Sequence, residues 1–401
     1  MPIERPRIVY LFTTFPKLSE TFLQREIRAL REEPLDLEIH SIYGGDPTFE
    51  GQVVHRFPMA SLITLVFWLP YWLVRGPRHL CRLLGFLSRR PRPNFLNFQE
   101  TLLGLAHGLI LARRLAASPP RRVHAVWATM PASSALAIHV LTGIPFSMGA
   151  HAYDIFQDGG DWLLPEKIQR ARFIHCSSRQ ARSRVLALGA DPDRVHAIYR
   201  GLEWLPPAGT RRATRLSPLR ILSVGRLMPK KGFLYQLSIY DRLQARGIRF
   251  FAHIVGDGDE LGALLEERGR LGLDQHVKFL GELPFNAVEE QYRWADLFLF
   301  TGRVTRDGDR DGLPNVIGEA LAHGLPVLTT PGPGALEAIE HGRTGLVCDA
   351  NDPEAWADTL ERLIDDGDLH EDLSLHGRAW VEHAFNCRRN AHRLAALHAL
   401  P

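Results

Sequence analysis

Leu222-Ser223-Val224-Gly225-Arg226-Leu227-Met228-Pro229-Lys230-Lys231-Gly232-Phe233 is an apolar run that stops on a glycine, passes through a basic turn and opens a helical pattern. A strand that turns into a helix in this way leaves its carboxyl end open, and an anion seat is built there from the chain itself. Gly225 and Gly232 let the backbone come close, the helix start offers unpaired N–H groups, and Arg226 with Lys231 supplies two fixed positive charges. Such a seat suits a diphosphate that gains negative charge as a bond to it breaks. The same residues would serve equally well in an exposed basic turn.

Working outward, the strand–turn–helix rhythm repeats on both sides. Strand candidates lie at 8–12, 37–43, 123–128, 145–149, 173–176 and 195–199, then at 220–224, 250–255, 277–280, 297–300, 327–330 and 346–347. Helical-period stretches fall between them, as in 21–31, where Leu23, Ile27 and Leu30 share one face. Alternation of this kind marks the α/β class with parallel sheets. The stretch Leu205-Pro-Pro-Ala-Gly-Thr-Arg-Arg-Ala-Thr-Arg-Leu-Ser-Pro218 breaks the rhythm and reads as a linker. The expected division is therefore a first domain at 1–205, a linker at 206–218 and a second domain at 219–385, followed by a last helix at 388–400. Two such domains in series predict a cleft between facing strand ends, where open α/β sheets take ligands.

Other loops carry candidate chemistry. Asp311-Gly312-Leu313-Pro314-Asn315-Val316-Ile317-Gly318-Glu319 feeds a glycine-containing loop into a helix. Its two acids lie two turns apart, which suits Asp311 to a sugar and Glu319 to ribose hydroxyls of one nucleotide sugar; alone, Glu319 reads as a solvated helical acid. Gly332-Pro333-Gly334 opens another turn whose first amides would face a phosphate or simply join a strand to a helix. In the first half, His151-Ala152-Tyr153-Asp154 follows a strand and so sits at a sheet's carboxyl edge, where His151 would donate to a sugar or phosphate oxygen or be a satisfied structural residue. Ser177-Ser178 reads as a helix cap. Asp257-Gly258-Asp259 has the spacing of a cation-binding pair but reads as a cap and turn, and Arg306-Asp-Gly-Asp-Arg-Asp311, lacking the spacing of a calcium loop, reads as a charged loop.

Composition narrows the classes. The 401 residues hold 48 Lys plus Arg against 45 Asp plus Glu, without the excess a nucleic-acid surface needs. Cys81, Cys176, Cys348 and Cys387 form no Cys-x-x-Cys, which excludes a local zinc motif and fits a reducing cytoplasm. The polar N-terminus predicts no export. One segment departs from this picture: 61–74 (SLITLVFWLPYWLV) is almost wholly apolar and is followed by Arg75, Arg78, Arg82, Arg89, Arg90 and Arg92. It falls short of the ~20 residues a span requires, and Pro70 is expected to interrupt it. Two readings stay open: a buried core helix, or an interfacial element at 61–92 with Trp68, Tyr71 and Trp72 among lipid headgroups at the inner membrane.

Taken in order, Phe15-Pro-Lys-Leu-Ser19-Glu-Thr21, His151-Ala-Tyr-Asp154, Gly225-Arg226 with Lys231-Gly232, Gly256-Asp-Gly258 and the pair Asp311 and Glu319 resemble the retaining family 4 glycosyltransferases of the GT-B fold, over nearly the whole chain. The opening segment looks most like the branch that makes bacterial exopolysaccharides such as colanic acid. The resemblance implies two Rossmann-like domains facing each other across a deep cleft, with 386–401 returning to the first. It implies that Arg226 and Lys231 bind the diphosphate of a UDP- or GDP-linked sugar and that Glu319 binds its ribose. Asp311, with backbone of Gly312, Leu313 and Asn315, would contact the transferred sugar, and His151 would touch it from the other domain. Gly225, Gly256, Gly334, Asp154 and Ser19 complete the implied binding set. No metal and no cofactor is implied, and the acceptor would be a saccharide, lipid-linked, at the cytoplasmic face of the membrane.

Three positions depart from the family pattern. Asp311 stands where glutamate is usual, Pro314 has no N–H to give, and Thr14-Phe15-Pro16-Lys17 replaces a glycine pair after the first strand. The competing functions are a nucleotide-sugar epimerase or hydrolase on the same fold, and a membrane-associated module without turnover.

Overall fold

A computed structural model describes every residue except 1–4, 18, 19, 89–93, 204, 207–216, 333 and 401. Ser19, most of the expected linker, and Arg89, Arg90 and Arg92 therefore lie outside the described residues. The chain divides into two compact units, Met1–Arg200 with Cys387–Pro401, and Gly201–Asn386.

The first unit is built on an eight-stranded sheet: β1 (Arg7–Phe12), β2 (Asp36–Ser41), β3 (Thr48–Phe49), β4 (Gln52–Arg56), β5 (Arg122–Ala125), β6 (Phe146–Gly149), β7 (Ile174–Cys176) and β8 (Val195–Ala197). Their order is β3-β4-β2-β1-β5-β6-β7-β8, parallel except for β3 with β4. The second unit carries β9 (Leu219–Val224), β10 (Phe250–Val255), β11 (Val277–Phe279), β12 (Leu297–Phe300), β13 (Val327–Thr329) and β14 (Leu346–Val347) in the order β11-β10-β9-β12-β13-β14, all parallel. The α/β expectation holds in both. Ile8, Val9, Tyr10 and Leu11 are all fully buried, because a parallel strand covered on both faces needs apolar side chains at successive positions. In each sheet the strand order reverses beside the first strand, at β1/β5 and at β9/β12. The carboxyl ends of such a switch point form a crevice.

Periodicity did not reveal the β3–β4 hairpin. Its two-residue turn places Glu50 at φ 48° and Gly51 at φ 80°, the primed geometry that matches strand twist, but Glu-Gly is a weaker signal than Asn-Gly. The helix Thr21–Arg31 forms as its spacing predicts, with Leu23, Ile27 and Leu30 buried. The closing helix Cys387–Ala399 belongs to the first unit, where Ala391, Leu394 and Ala395 share a core with Leu23 and Ile27. Arg122, beneath it, donates to the carbonyls of Leu397 (2.8 Å) and Leu400 (3.0 Å).

The apolar segment becomes a 3₁₀ turn (Met59–Thr64), a helix (Leu65–Arg75) and, after a bend of 115° at Gly76, a second helix (Pro77–Ser88). Two expectations are corrected. The first helix runs straight through Pro70, whose ring lies on its exposed side. Trp68, Tyr71 and Trp72 do not face outward: Trp72 is 6% exposed and donates its indole N–H to the Leu109 carbonyl at 2.9 Å, while Trp68 and Tyr71 pack on the core under the Arg113 guanidinium. Leu65, Trp68 and Trp72 recur at three and four residues and form the inward stripe. The opposite stripe, Ile63, Val66, Phe67, Leu73 and Val74, is exposed.

Candidate active site

The second unit gathers most of the expected residues at the carboxyl ends of β9 and β12. The chain leaves β9 at Gly225, turns through Pro229–Lys231 and enters the helix Phe233–Ala245 at Gly232. Gly232 takes φ 71°, and a Cβ there would collide with the Thr301 carbonyl just past β12. Only glycine permits that approach. The Thr301 hydroxyl lies within hydrogen-bond distance of the Lys231 (3.1 Å) and Gly232 (3.2 Å) carbonyls, and the Arg303 amide donates to the Lys230 carbonyl at 2.8 Å. The basic turn is thus fixed in place before any ligand arrives.

Two lysines and two aspartates interlock across these loops. Lys231 donates to Asp311 at 2.6 Å; buried Lys230 donates to buried Asp309 at 3.1 Å and lies 3.8 Å from Asp311. Burial alone would push the Asp311 carboxyl up; Lys231 and then Lys230 outweigh it and hold it below the usual range. Arg226 is exposed and, among the described residues, has no ion-pair partner. Its charge also reaches Asp311. A guanidinium left open beside an ammonium held by a carboxylate is an arrangement that a diphosphate can enter, with Arg226 adding a bidentate fork.

The remaining loops close around this cluster. A Cβ on Gly334 would collide with the Gly312 carbonyl, and one on Gly256 with the Gly225 carbonyl, so glycines from the loops after β10 and β13 abut the Asp311 and Arg226 loops directly. Gly312 and Leu313 are buried, and Asn315 begins the helix Asn315–Ala322 behind Pro314. Glu319, on that helix, accepts from the Tyr292 hydroxyl at 3.0 Å, and Tyr292 stacks on His323 with centroids 4.8 Å apart.

Sequence reading missed Lys230, Asp309 and Tyr292. Asp309 lies in the stretch 306–311, which reads as a charged loop, yet it turns inward against Lys230. The available signal was the matched spacing: adjacent lysines at 230 and 231 meet aspartates two apart at 309 and 311. Tyr292 had no local signal, since its role depends on a helix from a different part of the chain.

In the first unit two expected site residues are used internally. The Asp154 carboxylate, 1% exposed, accepts from the backbone amides of Ala152 (2.7 Å), His151 (3.1 Å) and Ala128 (3.2 Å). It is the anchor of its own loop, not an open ligand group. The His151 ring is also buried. Its Nδ1 accepts from the Ser177 amide at 3.2 Å, and its Nε2 lies 3.1 Å from the Val126 carbonyl and 2.7 Å from the Arg200 guanidinium. Burial first, then the adjacent Arg200 guanidinium, keeps this imidazole neutral. Ser178 caps the helix Arg179–Ala187 through the Ala181 amide at 3.0 Å, as its position predicts.

Asp257 accepts from the Gly258 amide at 2.8 Å, a turn, but the N-cap of the helix Leu261–Arg270 is Glu260, so neither aspartate of that pair is the cap expected. Among the described residues one group has metal-ligand spacing: Glu38, His40 and His55, whose ligand atoms lie within 4.8 Å of one another. The Arg114 guanidinium contacts both Glu38 and His40 there, the latter at 2.9 Å, so a cation of the protein's own already occupies the position.

With this geometry in hand, comparison with known proteins assigns the chain. Residues 19–203 match the Glycosyltransferase Family 4 model and residues 211–380 match Glycosyl transferases group 1. The chain is a glycosyltransferase with a family 4 domain and a group 1 domain. The transferase is 26% identical over 393 residues to the amylovoran biosynthesis glycosyltransferase AmsK of Erwinia amylovora, covering 95% of this chain and 96% of AmsK. It is 26% identical over 417 residues to the putative colanic acid biosynthesis glycosyltransferase WcaL of Salmonella typhimurium, covering 98% and 99%. Among solved structures, Anabaena Alr3699/HepE in complex with UDP superposes with a TM-score of 0.72 at 16% identity, covering 98% of this chain and all of that one. The fold of the transferase is GT-B.

Proposed function

We propose that this transferase takes a sugar from a nucleoside-diphosphate donor bound by the second unit and passes it to a saccharide acceptor bound by the first, in the synthesis of an exopolysaccharide or other bacterial cell-surface polysaccharide. The observation that carries the proposal is the prebuilt cluster of Arg226, Lys231 and Asp311 at the β9/β12 switch point. The names of AmsK and WcaL support the polymer class, and the UDP in HepE supports a nucleotide donor. A UDP- or GDP-linked sugar fits, as does a lipid-linked acceptor at the cytoplasmic face of the membrane.

On this reading the bond from the sugar to the diphosphate breaks while Arg226 and Lys231 neutralise the charge that develops on the departing phosphate. Side-chain cations do here what a metal does in other transferases, so no metal is required. As Lys231 turns to the phosphate, Asp311 is released to accept from hydroxyls of the sugar, and backbone of Gly312, Leu313, Asn315 and Gly334 lines the same space. The carboxylate of Asp311 is one methylene shorter than the family's glutamate and accepts from Lys231 at 2.6 Å. Glu319, held by Tyr292, accepts from the ribose hydroxyls. Anomeric configuration is retained, following the family resemblance.

Thermal unfolding with a panel of nucleotides tests this directly, since a ligand that binds only the folded state raises the melting temperature by mass action. UDP or GDP should stabilise the protein without added metal, and Arg226→Ala and Glu319→Ala should abolish the effect. Stabilisation that survives both substitutions, or needs a divalent ion, would sink the proposed site. Transfer would then be followed by NMR, where the anomeric coupling of the product reports retention. Donor turnover that is as fast without an acceptor would indicate hydrolysis instead.

A further inference from the structure

The exposed stripe on the helix Leu65–Arg75 is not covered by any of the described residues. Phe67 is 71% and Val74 82% exposed, and Ile63, Val66 and Leu73 are also exposed. Phe95 and Leu96, at the start of the helix Phe95–Ala117, are exposed as well. A helix apolar on both sides is covered on both sides when the protein works, and the inner side is already the core.

Charge identifies what covers the outer side. Residues 51–99 contain seven arginines and no lysine, aspartate or glutamate, although the chain as a whole is nearly balanced. Arg75, Arg78 and Arg82, on and just past the first helix, are exposed. A second copy of the chain would meet this face with the same face, setting arginine against arginine across a two-fold axis. A surface of anionic headgroups with acyl chains beneath complements both properties. The first helix, with 11 residues, is too short to span, and the 115° bend keeps the pair from forming one straight span.

We propose that the transferase docks on an anionic lipid bilayer through Ile63, Val66, Phe67, Leu73 and Val74, lying in the interface with Arg75, Arg78 and Arg82 at the headgroups. The inference stands independently of the donor reading. It takes something from each of the two readings the sequence leaves open: Trp68, Tyr71 and Trp72 face the core, and the opposite stripe is the interfacial one.

The full chain should be floated with vesicles of phosphatidylcholine alone and of phosphatidylcholine mixed with phosphatidylglycerol. Binding is expected to the mixed vesicles, weakening as salt rises. Phe67→Ser with Val74→Ser should reduce it at least tenfold while melting temperature and nucleotide stabilisation stay unchanged. Arg75→Gln, Arg78→Gln and Arg82→Gln together should reduce it on the order of a hundredfold, at about fivefold per arginine. Trp72→Ser serves as the contrast, lowering the melting temperature by opening the core. No flotation with the mixed vesicles, or unchanged flotation of the Phe67/Val74 variant, overturns the proposal. So does a dimer in sedimentation that the same variant dissociates, since the occupant would then be a second copy.

Discussion

The two units end their sheets in opposite ways. Past β5 and β6 in the first, polar groups are turned inward and satisfied by the backbone: Asp154 takes three amides, and Lys167, fully buried, pairs with Asp161 and donates to the carbonyls of Ala128 (2.7 Å) and Thr129 (3.1 Å). Asp154 and Lys167 thereby clamp the same stretch of chain, one through its amide and the other through its carbonyls. Past β9 and β12 in the second, the charges lean on one another and remain within reach of a ligand, with Arg226 open. The same edge of the same kind of sheet is wired for rigidity in one half and for exchange in the other.

If that contrast is right, the largest effect on stability comes from the first unit. Lys167→Met leaves Asp161 buried without its ion-pair partner and takes a donor from the Ala128 and Thr129 carbonyls, and should cost ~3–5 kcal/mol. The melting temperature should drop steeply while the increment produced by a saturating nucleotide survives wherever the protein is folded. Loss of that increment in the folded variant would mean that the two ends do not act separately.

The converse change is Lys231→Ala. Asp311 keeps Lys230 at 3.8 Å and partial solvent, so the melting temperature should move little. Transfer should fall by about 10²–10³, the cost of removing one preorganised group that stabilises developing charge. A variant that transfers normally, or one that melts as Lys167→Met does, would break the comparison at this point.

This difference also explains what was legible in the sequence. The loops past β9, β12 and β13 pass through glycines on their way from strand to helix, so Gly225, Lys231, Gly312 and Gly334 could be read in order and the structure brings them together. Apart from the β3–β4 hairpin, the strands of both sheets were readable because buried parallel strands are largely apolar. The inward wiring of the first unit was not, because an aspartate that accepts amides and one that accepts a sugar hydroxyl look alike in a sequence. Asp154 was read as a binding residue for that reason. Trp68, Tyr71 and Trp72 failed differently: in a stretch apolar all round, spacing gives two stripes without saying which one faces the core.

A smaller effect tests the same inward wiring through pH. Glu100 is the one acid between Glu50 and Asp154. Burial first, then the nearby Asp161 charge, pushes its carboxyl up to about 7. The folded state therefore holds this proton more tightly than the unfolded one, and stability falls as pH rises from the usual glutamate range to about 7, with no further change above. Glu100→Gln should remove that slope, leaving stability unchanged near pH 4 and raising it by ~1–3 kcal/mol at pH 8. Denaturant midpoints at the two pH values measure it. Equal gains at both would mean the side chain acts through packing and not through its charge.

The smallest effect is the most specific to the ligand-facing half. Tyr292→Phe removes the hydroxyl that donates to Glu319 but keeps the ring stacked on His323. One hydrogen bond of this kind is worth ~1 kcal/mol. The donor KM should therefore rise roughly fivefold with kcat unchanged, because Glu319 is proposed to hold the ribose and not to touch the reacting bond. A fall in kcat at constant KM would place Glu319 nearer the chemistry than the ribose. A fall in melting temperature without either change would return the pair to a purely structural role and make the second unit, at this position, resemble the first.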